Sequence, residues 1–187
     1  AIGLSIVLGV LVSLLTVTLL PYFVGLMVSE AETRRVTINY LYLFAPALPM
    51  LALTTAYKNL FEAAGRPGFP LFVASIGLLL NVIFNYIFIY GELGFPEMGA
   101  RGAALGSSLS LYLGVALFFV YDRFFNKKPL FTRLVMRYTY KFSLLLKIGA
   151  PAGFAFAFEV GLFSSMTWLI ASFGELALGA GQIVMSY

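Results

Sequence analysis

IGAPAGFAFAFEVGLFSSMTWLIASFG, residues 148–174, decides how this chain is read. A helix of about 20 apolar residues is enough to cross the hydrocarbon of a bilayer, and this run exceeds that. Its one ionisable residue is Glu159, about 3 Å along the axis from the midpoint at 1.5 Å per residue. A carboxylate at that depth costs on the order of 2.5–3.5 kcal/mol on insertion scales, so it should face protein or a wet cavity. Burial disfavours a charged carboxyl, and such a group takes or releases a proton as its surroundings change. It can equally offer its oxygens to sodium, a hard cation. Either ligand would leave when a positively charged molecule arrives nearby, which is the simplest physical basis for exchange. Glu159 is therefore expected to handle the coupling ion of a transporter, as proton carrier or sodium ligand. The plainer alternative is a structural Glu hydrogen-bonded to a neighbouring helix.

Composition agrees with a membrane protein. The chain is 61% hydrophobic and 11% charged, with a mean hydropathy of +0.96; a soluble domain needs far more polar surface. It has no Cys and no His, which removes disulfides, thiolate and imidazole catalysis and the usual zinc ligands. Working outward from residues 148–174, the expected helices are 1–28, 36–60, 69–90 and 102–121, with a sixth beginning at 176. Residue 1 already lies in an apolar run and residue 187 in another, which reads as an internal piece of a longer chain. Pro21 is expected to kink the first helix or mark its final turns. Pro46 and Pro49 free backbone carbonyls in the second, which predicts either a bend against a cavity or a purely structural kink. The small residues of GAALGSSLS, 102–110, allow close helix contact.

Alternating loops carry unequal charge. Lys58, Arg66, Arg123, Lys127, Lys128, Arg133, Arg137, Lys141 and Lys147 fall on one side, and Arg34, Arg35 and Arg101 on the other. The first side is read as cytoplasmic. Arg133, Arg137 and Lys141 recur every four residues and predict a helix lying in the interface against anionic headgroups. Glu62, Glu92, Glu97, Asp122 and Glu175 fall at helix ends or in loops and are expected to be solvated. The basic residues belong to topology, so no nucleic-acid partner is expected.

Other candidate site residues follow from spacing. Steps of three and four put Phe156, Phe163 and Met166 on the Glu159 face, as adaptable partners for greasy cations or as ordinary packing. Asn81 and Asn85, four apart, share a face. They could line a polar cavity, coordinate an ion, or simply hydrogen-bond helix to helix. Gln182 is a third amide of this kind.

The run GLLLNVIFNYIFIYGELGFPEMGARGAALGSSLS (77–110), preceded by FEAAGRPGFP (61–70), resembles helices five and six of the multidrug and toxic compound extrusion (MATE) transporters. KIGAPAGFAFAFEVGLFSS (147–165) and LGAGQI (178–183) resemble their helices seven and eight. The resemblance implies an all-α polytopic bundle, part of a twelve-helix, two-lobe fold. Residues 1–121 would supply the last four helices of the N-terminal lobe and 122–147 a cytoplasmic linker. Residues 148–187 would begin the C-terminal lobe. It further implies an antiporter that exports amphiphilic or cationic small molecules in exchange for sodium or protons. Such a protein needs no cofactor, is not an enzyme, is expected to be monomeric at full length, and sits in the plasma (inner) membrane. Glu159 matches the cation-binding Glu of the NorM-like branch, and Asn81 and Asn85 match cavity-lining positions. The DinF-like branch has Asp at the second of these, so Asn85 favours the NorM-like arrangement. Gly181 stands where many members carry His. A lipid-linked saccharide flippase of related fold would need several cavity cations, and the spans contain almost none. A lipid-modifying enzyme would need a cluster of nucleophile, base or metal ligands, and a lone Glu does not supply one.

Overall fold

A computed structural model describes residues 2–28, 30–125 and 142–171. All regular structure among them is helical. The chain divides into two compact units, residues 1–138 and 139–187. The first contains α1 (Ile2–Met27), α2 (Ala31–Phe44), α3 (Leu48–Ala63), α4 (Gly68–Tyr90) and α5 (Ala100–Phe125). The second contains α6 (Phe142–Ala171). Among the described residues five segments are long and apolar enough to cross a membrane, α2 and α3 counting as one bent span from Ala31 to Ala63. This is a multi-pass membrane protein. Leu71, Leu78, Leu79 and Val82 of α4 are each at least 60% exposed. Such a row would be an aggregation hazard in water and is what a lipid-facing helix requires.

The helices outrun the apolar segments from which they were expected. α2 starts at Ala31, so most of the supposed loop before residue 36 is its first turn. α5 continues past 121 to Phe125, and α6 begins at Phe142 instead of 148. Apolarity marks the length inside lipid, whereas Glu, Lys, Arg and Leu all extend a helix readily beyond it. Pro21 does not interrupt α1. The expected interfacial helix around Arg133, Arg137 and Lys141 lies outside the described residues.

Local chemistry fixes the turns. At the α1–α2 corner the Arg34 guanidinium donates twice to the Val28 carbonyl, at 3.1 and 2.8 Å, placing a cation over the carbonyl end of α1. α3 ends where the Arg66 N–H reaches back to the Phe61 carbonyl and Gly65 takes φ +73°. Gly91 ends α4 at φ +75°, and a side chain there would strike Glu97 N at 2.6 Å. The loop that follows folds back, Met98 N–H donating to Phe88 O at 3.1 Å.

The core of the first unit is aromatic. Phe118 of α5 stacks on Tyr57 of α3 at 5.4 Å and lies 5.7 Å from both Phe61 and Phe69. Asp122, expected to be solvated, is instead buried at 1% exposure next to this cluster, because α5 continues one turn beyond the apolar run.

α4 and α5 meet along small residues. A methyl added at Gly102 would overlap the Phe88 carbonyl oxygen, and one at Gly106 would lie 2.5 Å from Asn85 Oδ1. The small-residue stretch 102–110 therefore makes the close contact its composition predicts.

The proline pair breaks its span as a single 3₁₀ turn, Ala45–Ala47. Pro49 cannot donate to the Ala45 carbonyl, which accepts instead from Leu48 N–H and from Ser13 Oγ of α1 at 2.7 Å. From α5, Tyr112 Oη donates to Pro46 O at 3.0 Å and Ser108 Oγ to Leu43 O at 3.4 Å. Gly9 of α1 allows this approach, since a methyl there would sit 2.6 Å from Pro49 Cα.

Candidate functional site

The bend has a hollow beside it. Its volume is about 420 Å³, and it is walled by both arms of the bent span together with α4 and α5. Tyr40 and Phe44 come from α2, Thr54 and Lys58 from α3, Asn81 from α4 and Ser107 from α5. The Tyr40 and Phe44 rings stack at 5.9 Å, four residues apart on one helix face. The lining is mostly apolar with a few hydroxyls and amides, the usual make-up of a small-molecule site. Among the described residues Lys58 is the one cation lining it, and its Nζ lies 4.0 Å from Glu62 Oε1.

Asn81 and Asn85 form a short polar ladder on the α4–α5 seam. Asn85 Nδ2 donates to Asn81 Oδ1 at 3.1 Å, and Asn81 Nδ2 donates to Ser107 Oγ at 3.1 Å. Of the two amides, Asn81 borders the hollow. Asn85 Oδ1 is buried over Gly106 without a hydrogen-bond partner among the described residues. A buried carbonyl oxygen with free lone pairs is a costly feature in a protein interior. It is also the kind of ligand that a hard cation accepts.

Glu159 lies in the second unit, on α6, and so do Phe156, Phe163 and Met166. Steps of three, four and three residues align them on one face of that helix. All four are exposed, the last three at 68%, 53% and 55%. The rest of the helix from Lys147 to Met166 is exposed as well, so exposure does not single out the Glu159 face. Ser165 and Thr167 turn their hydroxyls inward to the Gly161 and Phe163 carbonyls, and Glu159 is the single charge between Ile148 and Ala171. Gln182 falls outside the described residues. The structure thus brings Asn81 and Asn85 together in the first unit and aligns Glu159 with Phe156, Phe163 and Met166 on one helix of the second.

Sequence reasoning missed Tyr40, Phe44, Thr54, Lys58 and Ser107. Tyr40 and Phe44 carry an i, i+4 aromatic signal that could have been noticed. The others are ordinary helix residues until the bend gathers them. A second hollow of about 480 Å³ is lined by Glu32, Arg35, Asn39, Glu97 and Arg101, from the start of α2 and the loop leading into α5.

Comparison with known proteins gives a consistent answer. The MatE family model matches residues 1–87. A probable multidrug resistance protein NorM from Idiomarina loihiensis is 31% identical over 180 residues, 94% of this chain and 38% of that protein. The NorM of Halalkalibacterium halodurans is 30% identical across 98% of this chain and 41% of its own length. That of Streptococcus pneumoniae is 30% identical across 100% and 41%. The chain spans about two fifths of the length of these curated relatives. With a MatE match at one end and NorM likeness along nearly all of its length, this membrane chain belongs to the MatE family.

Proposed function

We propose that this chain works as part of a secondary antiporter of the plasma membrane, exporting amphiphilic or cationic small molecules in exchange for sodium or protons. The observation that carries the reading is the likeness to proteins named for multidrug resistance along 94% or more of this sequence. Residues 1–121 would belong to one lobe, 122–147 to a linker and 148–187 to the other. The full-length protein would act as a monomer.

Glu159 is assigned the coupling ion. A single carboxylate within a helix otherwise free of charge from Ile148 to Ala171 is expensive, and exchange of a bound cation accounts for its presence. No covalent bond to the cargo forms or breaks. Proton or sodium binding neutralises the carboxylate, cargo arrival displaces the ion, and the return cycle reloads it. Phe156, Phe163, Met166 and, beyond the described helix, Gln182 would offer the aromatic, thioether and amide surfaces that amphiphilic cations favour. In the first unit the Asn81–Asn85 ladder and the hollow beside it would serve the same cargo.

The test is dye efflux from proteoliposomes holding the full-length protein, with sodium and pH gradients imposed one at a time. The gradient that drives efflux names the ion. Glu159→Gln should abolish the driven component while leaving expression and folding intact. Driven efflux at the parent rate by that variant would remove Glu159 from the mechanism.

A further inference from the structure

The carbonyls around the 3₁₀ break at Ala45–Ala47 are held by side chains from two directions. Ser13 of α1 grips Ala45 O, while Tyr112 and Ser108 of α5 grip Pro46 O and Leu43 O. α1 packs on α2 and α3, and α5 packs on them as well, but α1 and α5 share no substantial contact with each other. The two grips therefore reach the bend from separate neighbours. The hollow has the same bend for a wall, Tyr40 and Phe44 standing before it and Thr54 and Lys58 after it. We propose that Ser13, Tyr112 and Ser108 form a two-sided hydroxyl clamp that sets the angle of the α2–α3 span, and through it the width of the hollow. They are positioning residues, acting through backbone carbonyls rather than on anything in the hollow.

Proline in a membrane helix is tolerated when neighbours re-satisfy the backbone it frees, and such breaks are where helices bend. Hinge motions are absorbed by a few backbone positions of this kind. The α5 hydroxyls draw the break toward the helix that forms the facing wall, so losing them should widen the hollow. The α1 hydroxyl draws it the other way, so losing it should narrow the hollow. An interhelical hydrogen bond in a membrane averages a factor of about three in an equilibrium. Effects of roughly three- to tenfold are therefore expected.

The chain lacks cysteine, which gives a clean probe. In the full-length protein freed of any other cysteine, Ala74→Cys places one thiol on the α4 wall of the hollow. Its rate of reaction with fluorescein maleimide, compared with the smaller N-ethylmaleimide, reports width. Tyr112→Phe, alone and with Ser108→Ala, should speed the bulky reagent about three- to tenfold. Ser13→Ala should slow it by a similar factor, and Ser13→Thr, which keeps the hydroxyl, should return the parent rate. A thiol introduced in the α3–α4 turn by Ala64→Cys should react equally in every background. General loosening of the fold would accelerate labelling in all variants alike. Any outcome other than opposite signs for Tyr112→Phe and Ser13→Ala overturns the clamp. The readout is labelling and not efflux, so the result stands apart from whether the protein exports drugs.

Discussion

α5 and α6 are both long, apolar and sprinkled with small residues, yet they differ in what surrounds those residues. On α5 two of the three glycines are occupied positions, with Gly102 against the Phe88 carbonyl and Gly106 against Asn85. Ala104 and Phe118 on the same helix are buried to 1% exposure or less. On α6 a methyl at Gly149, Gly153 or Gly161 would meet nothing within 4 Å among the described residues, and Phe154 is 74% exposed. Small residues tell where a neighbour can come close; they do not say that one does. The polar groups follow the same division. Asn81 on the crowded seam is engaged by Ser107, whereas Glu159 on the open helix has no hydrogen bond or ion pair among the described residues. Packing has engaged the first set, and among the described residues it has not engaged the second.

Substitutions in the full-length protein can break or sharpen that contrast. Phe118→Ala should have the largest effect, about 3–5 kcal/mol of stability lost by cavity formation in the aromatic core. Unfolding in mixed detergent micelles would measure it, and a loss below about 1 kcal/mol would mean that the core does not hold the first unit together. Gly102→Ala comes next, at about 1–3 kcal/mol destabilising, since the obstacle is backbone and cannot swing away. Gly153→Ala, its counterpart on α6, should gain up to about 1 kcal/mol from helix propensity. Equal losses at the two glycines in the same unfolding assay would erase the distinction between the helices. The smallest effect belongs to the Asn81–Ser107 bond. A double-mutant cycle with Asn81→Ala and Ser107→Ala should give a coupling of about 0.6 kcal/mol, the average for such bonds in membranes. Zero coupling would release Asn81 from its structural duty and make it more like Glu159.

The spans were legible because lipid admits few charges, and a run such as residues 69–90 carries none. The ends of α2, α5 and α6 were not, because hydropathy stops at the headgroups while helical hydrogen bonding continues. Asp122 shows the consequence: it follows the apolar run in sequence, yet the extra turn of α5 carries it into the Tyr57 cluster. Pro46 and Pro49 announced a break but could not say which helices would hold it. That depended on Ser13, some 32 residues earlier, and Tyr112, 66 residues later than its partner carbonyl. Glu159 was legible as a candidate from burial cost alone, since one charge in an apolar span needs no partner to be noticed. The hollow was not, because its walls come from four helices and none of its polar residues is unusual by itself.

The central claim is that Glu159 holds an ion that cargo displaces, and ion release tests it most directly. Tetraphenylphosphonium would be added to the purified full-length protein in weakly buffered detergent, with proton and sodium electrodes following the solution. The account predicts that the parent protein releases one proton or one sodium ion per cation bound, and that Glu159→Gln binds without releasing either. Release by Glu159→Gln equal to that of the parent would contradict it.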